Sequence, residues 1–383
     1  MTGISVAVAG FGWMGRVHTQ AYLRLRQHYP QLPLIRLAAV ADEVPGRGEE
    51  AADQFGFEAF TQDWRDIAAD PAIDAVSITA PNFLHREIGV AMAEAGKHIW
   101  IEKPVGLSTE DAKAVAVAVS KAGVQSTVGF NYRNAPAVAL AKSLIDSGEL
   151  GTITHSRFRF LSDYAAHPEG ALSWRYERER GGAGGVLGDL ASHGIDLIRH
   201  LLGDVDALVA DTAIFIPERA RPSAATSGHA RASGGEMGAV ENEDFVSALL
   251  RLGSGGRCTL EACRVAVGEQ NNYGFEIHGT KGAVFWDYRR MGELGTSLGS
   301  KYQDQSVTTV LVGPESGEFG RFQPGAANAM GYDDLKVIEA RNFIASIVDG
   351  APQGATIADA VASAQALDAM VASVTSGSWI SLG

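Results

Sequence analysis

The chain opens with an apolar run, Ile4-Ser5-Val6-Ala7-Val8-Ala9, that passes directly into Gly10-Phe11-Gly12-Trp13-Met14-Gly15 and then into helix-like sequence from Arg16. Strand, glycine turn and helix in that order form the context in which G-x-G-x-x-G signals a dinucleotide site. Gly10 permits the tight turn, Gly12 removes the Cβ that would block a pyrophosphate, and Gly15 lets helix and strand pack closely, with phosphates held at the helix N-terminus. The N-terminal part is thereby constrained to a parallel α/β sheet, and a redox dinucleotide is the first functional expectation.

A second apolar stretch, Leu34 to Ala41, ends in Asp42. A carboxylate at that strand end accepts hydrogen bonds from ribose hydroxyls and repels a 2′-phosphate, which favours NAD over NADP. Its separation from the glycines exceeds the usual ~20 residues, and the excess lies in Gln27 to Pro33, read as a longer first crossover. Arg47 is the nearby feature that would suit NADP.

Periodicity divides the rest. Strands are predicted at Ile4 to Ala9, Leu34 to Ala41, Ala75 to Thr79, His98 to Ile101 and Gln125 to Phe130, with helices over Arg86 to Ala95 and Ser108 to Lys121, the latter capped by Ser108. After Gly151 longer strands follow one another through turns: Thr152 to Leu161, Ala207 to Ile216, Asp244 to Arg251, Gly256 to Val267, Tyr273 to His278 and Ala283 to Tyr288. The expected fold is α/β: a doubly wound parallel Rossmann sheet over residues 1–130, then an α+β domain over 131–332 with a large open, mostly antiparallel sheet. Helices at Asp333 to Val348 and Ile357 to Ser373, within a C-terminal segment of about 333–383, are expected to return and brace the first domain. One helix, Val186 to Leu202, interrupts the second domain and is entered through Gly181-Gly182-Ala183-Gly184-Gly185. Pro222 to Gly238, rich in Gly, Ser and Ala, reads as a mobile loop.

At 383 residues the chain has length for about two domains. A formal charge of -13 argues against nucleic acid or an anionic membrane as partner, because either needs a basic face. A small or neutral ligand fits better. The two cysteines, Cys258 and Cys263, are five apart within a predicted strand and so point to opposite faces, which argues against a disulfide or a metal pair. The N-terminus enters a core strand without a basic leader, and no apolar run approaches the ~20 residues that span a bilayer. The expected location is the cytoplasm.

Two places carry chemistry. Glu102-Lys103-Pro104 ends the fourth of the strands predicted in the first domain, so Lys103 is expected beyond a carboxyl edge of the sheet, beside a nicotinamide. A partly desolvated lysine near a cationic ring has its neutral form favoured, as a proton shuttle requires. In Gly188-Asp189-Leu190-Ala191-Ser192-His193, Asp189 and His193 are four apart and share a helix face. A carboxylate one turn from an imidazole fixes its tautomer and stabilises its charged form. A capping role for Asp189 and a core role for His193 are the structural alternatives; a metal site lacks an identifiable third ligand.

Taken together, Gly10-Phe11-Gly12-Trp13-Met14-Gly15, Thr79-Ala80-Pro81-Asn82-Phe83-Leu84-His85, Glu102-Lys103-Pro104 and the glycine-rich loop before Asp189-x-x-x-His193 resemble the Gfo/Idh/MocA oxidoreductases across nearly the whole chain. The resemblance implies a Rossmann domain, an open-faced sheet domain that builds dimers or tetramers, a catalytic group of Lys103, Asp189 and His193, and a Lys103-Pro104 bond that is often cis. Leu172-Ser173-Trp174-Arg175, Ile216-Pro217-Glu218-Arg219 and Phe275-Glu276-Ile277-His278-Gly279-Thr280 are most similar to the levoglucosan dehydrogenase branch, which oxidises the C3 hydroxyl of a pyranose. Many relatives carry Gln-Asp-Trp where this chain has Ser162-Asp163-Tyr164, a departure that bears on the exact sugar.

With NAD as cofactor, the expected contacts are Gly10, Phe11, Gly12, Trp13, Met14, Gly15, Asp42, Thr79, Ala80, Pro81, Asn82, His85, Glu102, Lys103, Asn131, Trp174, Arg175 and Tyr332. The expected sugar or cyclic-polyol contacts are Lys103, Tyr132, Asp163, Trp174, Asp189 and His193; Trp174 or Tyr132 would stack on the apolar face of the ring and Asp163 would accept from vicinal hydroxyls. No metal is expected. His193 is assigned as general base, oriented by Asp189, with Lys103 stabilising the developing alkoxide; the two bases can exchange roles without any change in sequence. A glycosidase that uses transient C3 oxidation, an inositol dehydrogenase and a non-catalytic sugar sensor are the competing readings. The sensor ranks last because all three catalytic residues are present.

Overall fold

The computed structural model describes residues 3–182, 184–222, 231–232 and 235–382. Six strands form the first sheet: β1 (Ile4–Ala9), β2 (Ile35–Ala41), β3 (Ala59–Thr61), β4 (Ala75–Ile78), β5 (His98–Ile101) and β6 (Ser126–Val128). All pair in parallel, in the order β3-β2-β1-β4-β5-β6. Strand order reverses between β1 and β4, which opens a crevice at their carboxyl ends. Val6, Val8, Val76 and Ile78 are fully buried, the continuous apolar signature of strands covered on both faces. The unpredicted elements here are β3 and the helices Arg47–Phe55 and Trp64–Ala69; β3 is a three-residue edge strand with an exposed Phe60 and leaves no periodic signal. Ser108 caps Thr109–Ala122 as expected, its Oγ accepting from Asp111 N at 3.3 Å.

The second sheet has nine strands: β7 (Ile153–Leu161), β8 (Val205–Ala213), β11 to β16 and β17, with the β9–β10 ribbon (Glu218–Ala220 and Met237–Ala239) separate from it. The ranges are Phe245–Leu252 for β11, Arg257–Cys263 for β12, Asn272–Gly279 for β13, Gly282–Asp287 for β14, Glu293–Leu298 for β15, Thr308–Leu311 for β16 and Ile380–Ser381 for β17. Their order is β16-β15-β14-β13-β7-β12-β11-β8-β17, antiparallel except for β7 with β12. In β11, Val246, Ala248, Leu250 and Leu252 are buried while Ser247, Leu249 and Arg251 are exposed, so one face is covered and the other open. Cys258 and Cys263 are buried and free, and burial pushes the Cys258 thiol up to about 12. The helix Pro136–Asp146, with proline at its first turn, was not predicted.

The predicted helix Val186 to Leu202 is not uniform. Leu187–Ala191 forms a π turn, and the α-helix runs from Ser192 to Leu202. Ser192 Oγ donates to Gly188 O at 2.8 Å, the carbonyl its own N–H would use in an α-helix, and that N–H reaches Leu187 O instead. Most of Pro222 to Gly238 lies outside the described residues, as does Ala183; Met237 and Gly238, at the end of the expected loop, belong to β10.

The chain groups into two units, residues 1–131 with 331–362 and residues 132–330 with 363–383. The segment expected to brace the first domain is therefore divided. Helix Tyr332–Asp349 belongs to the first unit, whereas the end of Ile357–Ser376 belongs to the second, where Ser373 Oγ accepts from Ala210 N at 3.0 Å and β17 pairs with β8. Helix Ile357–Ser376 also corrects the hydropathy reading: by length and composition it could cross a membrane. Its apolarity comes from alanine and valine, and Ala360, Ser363, Ala366, Ala369, Met370 and Ser373 are buried within the protein.

Candidate active site

The first unit presents a dinucleotide cradle. Helix Trp13–His28 begins three residues earlier than predicted, with Gly12 at its N-cap, no side chain capping it and no acidic residue in its first turn. The N–H groups of Trp13, Met14 and Gly15 thus belong to the positive end of a helix left open for an anion. The three glycines serve different ends. A Cβ on Gly10, at φ +92°, would lie 2.6 Å from Ala80 Cα, and one on Gly15 would lie 2.4 Å from Gly10 O, whereas Gly12 faces open space. The residues present therefore fit a pyrophosphate at Gly12. Asn131 supports a nicotinamide end: its side chain is fully buried, and both amide atoms lack a partner among the described residues.

Several expected cofactor residues act on the protein itself. Phe11 turns its ring inward against Phe55 and Phe57, and its N–H donates to Asp42 Oδ2 at 2.7 Å. Asp42 also accepts from Val44 N at 2.9 Å and from Arg47 Nη1 at 3.2 Å, so the arginine that would suit NADP is paired with the residue that disfavours it. Thr79 Oγ1 donates to Gly10 O at 2.5 Å, clamping the turn over Ala80, and Pro81 and Asn82 follow at partial exposure. Trp13 stacks on Tyr332 at 5.3 Å, and the Tyr332 hydroxyl lies 3.6 Å from Met14 Sδ.

His85, expected at the cofactor, is instead a buried tether. Its Nδ1 lies 2.7 Å from Pro104 O and its Nε2 2.7 Å from Ala80 O. Burial lowers its pKa; the two carbonyls, which both accept only from a protonated ring, oppose that shift. Pro104 follows Lys103 across a cis peptide bond, so His85 ties the Ala80 loop to the segment carrying the lysine.

Glu102 likewise turns into the interior. Its Oε1 accepts from Lys336 Nζ at 2.5 Å and from His18 Nε2 at 2.9 Å, and its Oε2 lies 3.3 Å from Lys103 N. A Cβ on Gly129 would fall 2.4 Å from that Oε2, which explains the glycine there. Lys336 also donates to Glu339 Oε1 at 2.8 Å, as does Trp100 Nε1 at 2.7 Å. Burial lowers the His18 pKa to about 4, so the ring is neutral: Nε2 donates to Glu102 and Nδ1 accepts from Ser77 at 3.1 Å. Burial would raise Glu102, but Lys336 and His18 hold it well below the carboxylate range; burial outweighs Lys336 at Glu339 and raises it to about 7. For Lys336, burial favours the neutral amine, and the two carboxylates overcome it to raise the pKa. His18, Glu102 and Glu339 bring potential ligand atoms within 4.8 Å of one another. The Lys336 ammonium supplies the cation there. Nothing in the sequence marked His18, Lys336 or Glu339, because each is a lone residue on a helix, joined to the others only by the fold.

The second unit holds Asp189 and His193. Asp189 lies in the π turn and His193 one turn on, 8% exposed. Tyr164 donates its hydroxyl to Asp189 Oδ2. The His193 ring meets Tyr132 edge-on at 4.8 Å, with Phe160 at 6.0 Å, and Tyr273 donates to His193 O at 2.8 Å. Tyr132 thus packs on the histidine. Trp174 has Arg175 over one ring face at 4.4 Å. Asp163 and Tyr164 line a cavity of about 420 Å³ together with His167, Tyr176, Arg219 and Arg231. Arg219 is fully buried and donates to the carbonyls of Ala165 at 2.5 Å and of His167 and Gly170 at 3.4 Å. Tyr176 lies between the guanidinia of Arg219 and Arg264, at 4.4 and 4.6 Å, and Arg264 is ion-paired with Asp244 at 2.8 Å. The resemblance singled out Tyr164 only as a departure; its partner is set by the fold.

Residues 4–130 match the oxidoreductase family with an NAD-binding Rossmann fold, and residues 138–285 match the GFO/IDH/MocA C-terminal domain. A levoglucosan dehydrogenase of Pseudarthrobacter phenanthrenivorans is 39% identical, covering 99% of this chain and 98% of its own. An inositol 2-dehydrogenase of Rhizobium meliloti is 28% identical over 99% of both chains. A levoglucosan dehydrogenase structure in complex with NADH and levoglucosan superimposes with a TM-score of 0.92 at 37% identity, covering 100% of both chains. With the open glycine cradle in one unit and the tyrosine-bound aspartate and its histidine in the other, the chain belongs to the Gfo/Idh/MocA family of NAD-binding oxidoreductases.

Proposed function

We propose that this protein oxidises a secondary hydroxyl, at C3, of a pyranose or anhydrosugar such as levoglucosan, with NAD as hydride acceptor. The observation that carries the substrate class is the full-length likeness to a levoglucosan dehydrogenase, in a chain that holds Lys103, Asp189 and His193. When bound, the nicotinamide accepts the hydride from the carbinol carbon. His193 takes the hydroxyl proton, Asp189 orients the imidazole and stabilises its charged form, and Lys103 donates to the same oxygen as alkoxide character develops. Gly12 and the helix end at Trp13 hold the pyrophosphate, Asp42 the ribose, and Asn131 the carboxamide. Asp163, beside the cavity, is assigned to sugar hydroxyls. The protein is assigned to the cytoplasm as a homo-oligomer built through the open sheet face, where Leu249 is 52% exposed.

The test offers NAD and a panel of levoglucosan, glucose, myo-inositol and aryl glycosides, following NADH absorbance and aglycone release together. NADH accumulating on a sugar, and lost in Lys103→Ala, is the expected result. Aglycone release without net NADH would overturn it in favour of a redox-assisted glycosidase, and turnover confined to myo-inositol would move the substrate class to cyclic polyols.

A further inference from the structure

We infer that Tyr164 is a positioning residue for the reaction proposed above, on which this inference rests: its hydroxyl holds the Asp189 carboxylate and thereby sets the basicity of His193. The backbone on both sides of Tyr164 is fixed. Ser162 N donates to Cys263 O at 2.8 Å, Ala165 N donates to Arg264 O at 3.0 Å, and Arg219 holds Ala165 O at 2.5 Å. The ring packs against the buried cluster of Ala165, Leu172, Tyr176 and Val240. From this loop Tyr164 donates to Asp189 Oδ2, and Asp189 N–H in turn donates to Gly185 O at 3.1 Å.

The chemistry follows from the direction of that bond. Burial, and then the negative charge of Asp189, oppose ionisation of Tyr164, so it remains a donor throughout the working range. A carboxylate that accepts a hydrogen bond has part of its charge spread onto the donor and stabilises an imidazolium less. Tyr164 therefore keeps His193 less basic than Asp189 alone would make it. Among the described residues, Tyr176 and Arg264 lie near this carboxylate and phenol, Arg264 paired with Asp244 and Arg219 over the Tyr176 ring. Tyr132 and Tyr273 pack on His193. The Tyr164 phenol can accept as well as donate, and it lines the cavity beside Asp163.

The experiment is an NMR titration of the His193 imidazole in histidine-labelled protein, for the native chain, Tyr164→Phe, and the chain with 3-fluorotyrosine at position 164, alongside steady-state kinetics. Loss of the donor should raise the His193 pKa by about half a unit or more, and the more acidic fluorophenol should lower it. The acid limb of kcat/KM should move the same way, with kcat about tenfold lower in Tyr164→Phe and KM for the sugar within about twofold. Coincident His193 titrations in all three proteins would overturn the inference, as would a loss lying wholly in KM. If Tyr164→Phe does not fold, the fluorotyrosine protein decides by its own shift. Failure of the native protein to reduce NAD with any sugar or polyol would sink the functional reading, and the titration would still decide the role of Tyr164.

Discussion

Lys336 Nζ lies 2.5 Å from Glu102 Oε1, and both groups are buried where the chain passes from β5 into Lys103. The pair is extended by Glu339 and His18, so the residue before the lysine is anchored by a charge network. Removing the cation alone leaves the buried Glu102 carboxylate without its ion-pair partner beside Glu339. Lys336→Met should cost about 3–5 kcal/mol of stability, read by urea unfolding, and Glu339→Gln in the same chain should recover part of it. Additive losses from the two substitutions would show that they do not act as one network.

Two members of this network give stability opposite slopes with pH. Glu339, raised from 4.5 to about 7, contributes stability that is complete below pH 4.5 and lost as pH rises to 7. His18, lowered from 6.5 to about 4, contributes stability that is present above pH 6.5 and lost as pH falls towards 4. Glu339→Gln should therefore gain on the native protein as pH rises from 4.5 to 7. Urea midpoints at several pH values across that window check it; parallel curves for the two proteins would count against the assignment.

The glycines of the cradle should separate folding from binding. Gly12→Ala meets nothing in the protein within 4 Å. It should leave the thermal midpoint unchanged while weakening NADH binding at least tenfold by fluorescence titration. Gly15→Ala, whose Cβ would lie 2.4 Å from a backbone oxygen, should lower the midpoint itself. Equal effects of the two on stability would contradict the reading of Gly12 as the pyrophosphate position.

Asp42, proposed above to hold the ribose, accepts from Phe11 N and holds Arg47 at 3.2 Å. Asp42→Ser should free that guanidinium and remove the charge that repels a 2′-phosphate. The preference for NAD over NADP, measured as a ratio of kcat/KM, should fall at least tenfold, with some loss of stability from the unpaired Phe11 N–H. An unchanged ratio would place the discrimination elsewhere.

What the sequence determined by itself was what depends on short-range pattern. β1 and β5 lie within the predicted bounds because central parallel strands are apolar throughout, and Ser108 capped its helix because a hydroxyl satisfies a free N–H locally. The glycine motif was legible for the same reason, a local arrangement that opens a helix without a capping side chain. Strands β3, β16 and β17 were not, since two to four residues with little burial carry no period. The π turn at Leu187–Ala191, where Ser192 N–H reaches Leu187 O and its hydroxyl bonds Gly188 O, has no counterpart in the apolar period. Only the tertiary structure decided that Glu102 and His85 face inward, that Lys336 neutralises Glu102 from 234 residues away, and that Tyr164 meets Asp189. Those partners are chosen by packing, which sets the desolvation and the distances on which their charges depend, and no spacing along the chain records them.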